Sequence, residues 1–120
     1  MNVRTYRLPK AVYYQCIWII KDIDRLKRLE VAANTGCKED ELVFFEVDEE
    51  VIRNREVLRQ ARFKLNCIRR ALEEVPEEYR ENTLDSIIYN LPFSDMAHEN
   101  TWRKWRKVFI RSLASNLMLI

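Results

Sequence analysis

Apolar residues recur with a helical spacing along most of the chain. Over residues 10–34 they follow one another at intervals of three, four and seven, which places them on one face of an amphipathic helix. Residues 49–75 repeat apolar positions every seven residues, with a second apolar position three further on and Asn54 as the one polar entry. The spacings predict two long helices, with apolar seams formed by Val12, Cys16, Ile19, Ile23, Leu26 and Ala33 in the first and by Val51, Leu58, Ala61, Leu65, Ile68, Leu72 and Val75 in the second.

Punctuating residues mark the ends of these two helices. Pro9 suits the first turn of a helix, and Gly36 suits a left-handed cap at its end. Residues 37–47 are predicted to form a loop with an extended stretch at 42–45, and Asp48 to cap the second helix. Two long helices joined by a loop most simply form an antiparallel hairpin. An intermolecular coiled coil remains open, because the heptad seam is long for a chain of 120 residues.

A shorter helix is predicted after the second long one. Pro76 ends the long helix and starts the next, and Leu91–Pro92 stops it. Ser94 is placed to cap a one-turn element over residues 94–97. The core face predicted for the helix between the two prolines consists of Leu84, Ile87, Ile88 and Leu91.

Composition narrows the fold and the chemistry. A chain of 120 residues fits one domain, and a single glycine excludes Gly-rich phosphate loops and disfavours many-stranded sandwiches. The three cysteines have no C-x-x-C spacing, so reduced thiols are expected, and a zinc site would lack a fourth ligand beyond His98. The apolar run at 16–20 is too short to span a membrane. These features predict a cytoplasmic protein.

Charge alternates in blocks along the chain. The net charge is +4 over residues 1–37, −6 over 38–50, +6 over 51–70, −7 over 71–99 and +5 over 100–120. Helices that pack through complementary charge would explain this pattern. A basic element presented to a polyanion would explain it equally well.

The last helix carries the strongest functional signal. It is predicted to start at a cap formed by Asn100 or Thr101 and to extend to about Met118. No acidic residue follows Asn100. The helix has two distinct faces. One carries apolar and aromatic residues, and the other carries basic residues at every fourth position. The first face consists of Trp102, Trp105, Phe109 and Leu113, and the second of Arg103, Lys107 and Arg111 with Lys104 beside them.

An ordinary solvated basic face is an alternative to a DNA-reading helix, and the two tryptophans favour core anchors over base-stacking platforms. No catalytic constellation is present: His98 is predicted in a turn, as a hydrated or capping side chain, and the acidic clusters fit helix starts and solvated faces. We therefore expect no enzyme activity, no resident metal and no cofactor.

The C-terminal half resembles small phage and prophage transcriptional regulators of the RinA/ArpU type, whose DNA-binding region is similar to the helix-turn-helix of sigma factors. The matching stretches are IRRALEEVPEEYR (68–80), SDMA (94–97) and NTWRKWRKVFIRSLASNLMLI (100–120). The match departs from the usual pattern in the turn, where Thr101 stands in place of glycine and the link after Ala97 is short.

The resemblance implies that the last helix docks in the major groove of double-stranded DNA. Asn100 and Thr101 would then lie at phosphates or bases, Arg103, Lys104 and Lys107 would face the groove, and Arg106 would contact the DNA backbone. The side chain of Trp102 would contact both sides of the interface, with one ring edge packed in the core and the indole N–H donating to a phosphate. The DNA-binding residues implied are Asn100, Thr101, Trp102, Arg103, Lys104, Arg106, Lys107 and Arg111.

Together, pattern and resemblance predict an all-α protein of about four helices. A long antiparallel hairpin over residues 1–75, able to form a homodimer, would precede a helix-turn-helix-like unit over 76–120. The predicted function is a sequence-specific DNA-binding transcriptional regulator of phage or prophage origin, for which RNA polymerase is a second partner that the resemblance allows. The alternative is a non-catalytic helical interaction protein that does not bind DNA.

Overall fold

Helices are the only regular secondary structure in the described part of the chain. The computed structural model describes residues 7–35, 48–95 and 97–120, and among these it describes side chains outside 32–35 and 48–54. The all-α prediction is confirmed. The described residues form five helices: α1 Lys10–Lys21, α2 Ile23–Thr35, α3 Asp48–Leu72, α4 Glu77–Ile88 and α5 Glu99–Asn116.

The helix count exceeds the predicted four because the first predicted helix is divided at Asp22. This residue forms a turn between α1 and α2, and its carbonyl accepts a hydrogen bond from the Leu26 N–H at 3.1 Å. Its carboxylate accepts a second bond from Arg25 Nε at 2.8 Å. Short polar side chains that bond locally compete with helix continuation, which accounts for the break.

Helix α3 follows part of its predicted seam, because Leu58 and Leu72 are only half-buried. Ala61, Leu65 and Ile68 are buried, as is Val75 in the turn just beyond the helix. Several predictions lie outside the described residues: the Gly36 cap, the loop over 37–47 and the side chains of Asp48, Val51 and Asn54. Residue 48 is itself helical, so α3 begins one residue earlier than predicted.

Helix α4 buries a different face from the one predicted. Ile87 is buried as expected, but Leu84 and Ile88 are only half-buried. Leu91 lies beyond the helix with 51% of its surface exposed. Thr83 and Ser86 take their places in the core. Ser86 Oγ donates to the Thr83 carbonyl at 2.8 Å, and this bond satisfies the serine hydroxyl without a distant partner.

The one-turn element predicted at 94–97 is not helical in the described residues. Ser94 has no regular structure, Asp95 lies in a turn and Ala97 in a bend, while Met96 lies outside the described residues. The segment between α4 and α5 therefore runs over residues 89–98. An ordinary helix-turn-helix joins its helices through three or four residues, so this connection is longer.

The chain divides into two units, each with its own packing. One consists of Met1–Lys21 and Cys67–Ile120, and the other of Asp22–Asn66. These boundaries differ from the predicted division at residue 76, because α1 packs mainly against α4 and α5. The predicted hairpin over residues 1–75 stays a prediction. In the second unit α2 and α3 face each other across a small cavity of about 160 Å³, lined by Leu26, Leu29, Val57 and Ala61 among others.

Two hydrogen bonds join the ends of α3 and α5 in the first unit. Asn116 Nδ2 donates to the Cys67 carbonyl at 3.0 Å, and the Cys67 thiol donates to the Asn116 carbonyl at 3.4 Å. Arg80 Nε donates to the Val75 carbonyl at 2.7 Å and closes the turn between α3 and α4.

Among the described residues, no helix has the length and apolar character needed to cross a bilayer.

Candidate functional site

Helix α5 is fixed in place by a cluster of aromatic side chains. Trp102 is fully buried, with its ring edge-on to Tyr79 at 5.0 Å and stacked on Phe93 at 6.0 Å. Half-buried Trp105 also stacks on Tyr79, at 6.2 Å between ring centroids. Aromatic ring pairs stabilise a fold beyond the effect of their buried area. These pairs therefore hold the N-terminal half of α5 against α4 and against the segment that joins the two helices. The prediction that Trp102 anchors the core is confirmed.

The structure corrects the second role expected of Trp102. Its indole N–H donates to the Ser94 carbonyl at 2.9 Å, inside the protein. With the ring 0% exposed, this group is not available to a phosphate on a bound nucleic acid. The bond instead fixes the segment that leads into α5.

The cap of α5 is His98, not the predicted Asn100 or Thr101. His98 Nδ1 accepts from the backbone N–H of Asn100 at 3.0 Å, and the His98 carbonyl accepts from the N–H of Thr101 at 2.9 Å. Of the two roles expected for His98, a hydrated or a capping side chain, the structure shows the capping role. Because the first N–H groups already have partners and Glu99 adds a negative charge to the first turn, this helix end is less receptive to a phosphate.

The basic face of α5 lies in solvent. Arg103, Lys104 and Lys107 are exposed. Arg103 forms an i, i+4 ion pair with Glu99 at 2.8 Å, in which both side chains are more than half exposed. Lys104 Nζ lies 4.7 Å from the centre of the Trp105 ring. Exposed pairs of this kind are weak, so the cations remain able to exchange partners.

The basic face of α5 borders a cleft that it shares with α1 and the residues before it. The cleft has a volume of about 720 Å³. Six of its lining residues carry a positive charge, and none of the described residues that line it is acidic. The lining consists of Arg7, Leu8, Lys10, Tyr13, Tyr14, Arg103, Arg106, Lys107, Val108, Ile110 and Arg111.

One hydrogen bond ties the two walls of this cleft together. A guanidinium nitrogen of Arg106 donates to the Tyr13 hydroxyl at 3.2 Å, joining α5 to α1. Tyr13 in turn meets Tyr14 edge to face, with ring centroids 5.4 Å apart. Arg106 was predicted to contact a DNA backbone, and in the structure it serves first to position an aromatic pair.

The cleft brings together half of the predicted site residues. Arg103, Arg106, Lys107 and Arg111 line it, whereas Asn100, Thr101 and Lys104 lie elsewhere on α5 and Trp102 lies in the core. Sequence reasoning missed the opposite wall, which consists of Arg7, Leu8, Lys10, Tyr13 and Tyr14. The only signal for that wall was the net charge of +4 over residues 1–37.

Like charges gathered in one concave surface concentrate a positive potential. Low-dielectric walls focus that potential and raise the local concentration of anions. Arginine adds the ability to bind a phosphate through two parallel hydrogen bonds. The arrangement is therefore suited to binding a polyanion.

The two cysteines that the structure describes are unreactive thiols near neutral pH. Cys16 and Cys67 are buried free thiols, and burial raises the pKa of Cys16 to about 11 and that of Cys67 above its ordinary value. The thiolate is the reactive form, so both are poor nucleophiles near neutral pH. Among residues that the structure describes, no group of three or more His, Cys, Asp or Glu is arranged to hold a metal ion.

Comparison with protein-family models, with curated proteins and with solved structures found no match to this chain. The resemblance to RinA/ArpU-type regulators stays a prediction from residues 68–120.

Proposed function

We propose that the protein is a sequence-specific DNA-binding transcriptional regulator of phage or prophage origin, and that it binds double-stranded DNA with α5 and the cleft between α1 and α5. The cleft carries the DNA-binding part of the proposal. The regulatory role and the origin rest on the resemblance of residues 68–120. Such a regulator acts in the cytoplasm, and RNA polymerase is a partner open to it.

The single observation that supports DNA binding best is the set of six cations around one cleft, drawn from two distant parts of the chain. Each cation that neutralises a phosphate releases counterions, which lowers the logarithm of the binding constant by about 0.9 per decade of salt. Exposed Arg103 and Lys107 lie one turn apart on α5 and would reach into a groove, while Arg7 and Lys10 would hold the adjacent backbone.

Anisotropy titrations of a labelled duplex at several salt concentrations test this proposal. The double variant Arg103→Ala plus Lys107→Ala should bind at least about tenfold more weakly at low salt, with a salt slope lower by about two. The matched control is Lys27→Ala plus Arg28→Ala, which removes the same charge from exposed positions of α2. The control should bind like the unmodified protein.

Two results would reject DNA binding: no salt-sensitive affinity for any duplex, or an affinity that the Arg103 and Lys107 variant leaves unchanged. Competition with unlabelled random duplex separates sequence-specific from general binding. Equal affinity for every duplex would contradict sequence specificity but not DNA binding itself.

A second candidate is a non-catalytic interaction protein, and exposed apolar side chains favour it. Tyr89 and Leu91, just after α4, are both more than half exposed. Sedimentation at several protein concentrations, with and without DNA, compares the two candidates. A stable oligomer that does not bind DNA would support the second candidate, whereas a dimer that also binds DNA would fit the first.

A further inference from the structure

Helix α1 presents two large aromatic rings to solvent beside the cleft. Tyr14 is 55% exposed and Trp18 is 67% exposed. They are four residues apart, so they lie on the same side of the helix, separated by a rise of about 6 Å. Exposed aromatic rings in series are unusual for a helix face that meets only water.

The first ring is held in position by the wall of the cleft. Tyr14 packs against the Tyr13 ring at 5.4 Å, and the Tyr13 hydroxyl accepts a hydrogen bond from Arg106. Tyr14 is thereby braced from one side while its remaining surface stays open. A fixed ring loses little further conformational freedom when a flat ligand group stacks on it.

Several cations line the cleft beside Tyr14. Tyr14 itself lines the cleft, Lys10 lies one turn before it on α1, and Arg106 and Lys107 lie across the cleft on α5. Lys21 follows Trp18 by three residues. Along α1 the two rings are therefore adjacent, with Lys10 before them and Lys21 after them, while the carboxylate of Asp22 is already paired with Arg25. Aromatic rings beside a basic groove are what proteins use to bind unpaired nucleic acid strands.

We infer that this surface binds single-stranded nucleic acid, with the phosphates on the cleft cations and two unpaired bases stacked on Tyr14 and Trp18. The inference rests on the proposed nucleic-acid function of the cleft and names a class of substrate for it. In a duplex the faces of the bases are covered by their neighbours, so the rings contribute only where a strand is unpaired. Opened duplex or a free strand would meet this condition.

The test compares a labelled poly-thymidine strand of about 20 nucleotides with a duplex of the same length. The variants Tyr14→Ala and Trp18→Ala should each weaken binding to the strand about tenfold. Trp18 does not line the cleft, so Trp18→Ala should leave duplex binding within twofold. Tyr89→Ala, an equally exposed ring after α4, is the matched control and should change neither. A poly-uridine strand tests whether the same surface takes RNA.

Tryptophan fluorescence gives a second readout that a loss of folding would not imitate. Trp102 is buried and Trp105 half-buried, so quenching by a stacked base should come mainly from Trp18. Trp18→Phe should abolish most of the quenching and keep more affinity than Trp18→Ala. Circular dichroism confirms that each variant remains folded.

The possible outcomes separate the two proposals. Tight duplex binding with strand binding indifferent to Tyr14 and Trp18 overturns the inference and leaves the DNA-binding proposal intact. Strand binding that depends on both rings supports the inference, even if the duplex binds weakly. Failure to bind any nucleic acid overturns both proposals. Sedimentation that depends on protein concentration, and that Trp18→Ala makes independent of it, would show self-association through Trp18 and contradict the inference.

Discussion

Met118 ends the last helix in a conformation that residues with a side chain seldom adopt. Its φ is +61°, in the left-handed region that favours glycine. The Leu119 N–H bonds to the Ala114 carbonyl at 2.9 Å and the Met118 N–H to the Ser115 carbonyl at 3.0 Å, which is the Schellman pattern of a helix end. Asn90, which follows α4, also has a positive φ of 54°. The only glycine lies elsewhere, at position 36.

Replacing Met118 with glycine should stabilise the protein. The side chain is 78% exposed, so its loss removes little packing, and glycine relieves the strain of the left-handed backbone. We expect the free energy of unfolding to rise by about 0.5–1 kcal/mol, measured by urea denaturation. Met118→Ala keeps the β-carbon and should remain within about 0.5 kcal/mol of the unmodified protein. Equal effects of the two substitutions would contradict backbone strain.

At the scale of elements, helical periodicity predicted where helices occur but not where they break. The heptad seam of α3 was informative, because Ala61, Leu65 and Ile68 are buried as its spacing requires. The break at Asp22 escaped prediction, since the apolar spacing continues across it and the cause is a local polar bond. The cap of α5 was assigned to Asn100 or Thr101 because histidine is not a common helix cap. The position of the His98 Nδ1 decides between the two roles expected of that side chain, hydrated or capping.

Asp22 gives α2 a dependence on pH. The hydrogen bond from Arg25 holds the pKa of this carboxyl below its ordinary value of 3.8, and the charge of Lys64 acts in the same direction. A lowered pKa means that the stabilisation is complete above the ordinary value and is lost as the pH falls through the lowered pKa. Both side chains are more than a third exposed, so the contribution is about 0.2–1 kcal/mol.

We expect Asp22→Asn to lower the free energy of unfolding by that amount at pH 7 and to differ less from the unmodified protein near pH 2. Urea denaturation at both pH values measures the difference. Asp24→Asn removes the same charge from an exposed position two residues away and serves as the control. If the Asp22→Asn variant loses the same stability at pH 2 as at pH 7, the ionic bond is not the source.

At the scale of the whole molecule, the sequence indicated the charge of the candidate site but not its shape. The basic stripe of α5 was visible from residues 103–111, and these positions do line the cleft. The opposite wall, at Arg7, Lys10 and Tyr14, lies about ninety residues away along the chain. No spacing rule links such distant segments, since they meet only through tertiary packing.

A cleft lined by six like charges sets a trade-off between recognition and stability. When it is empty, its cations repel one another and weaken the fold that brings them together. Ionic strength should therefore have two opposite effects. Added salt should raise the free energy of unfolding of the free protein by screening the repulsion, and it should lower the affinity for nucleic acid. Urea midpoints between about 20 and 200 mM sodium chloride should rise for the unmodified protein and rise less for Arg103→Ala plus Lys107→Ala. If both proteins have the same urea midpoint at every salt concentration, repulsion among the cleft cations does not destabilise the fold.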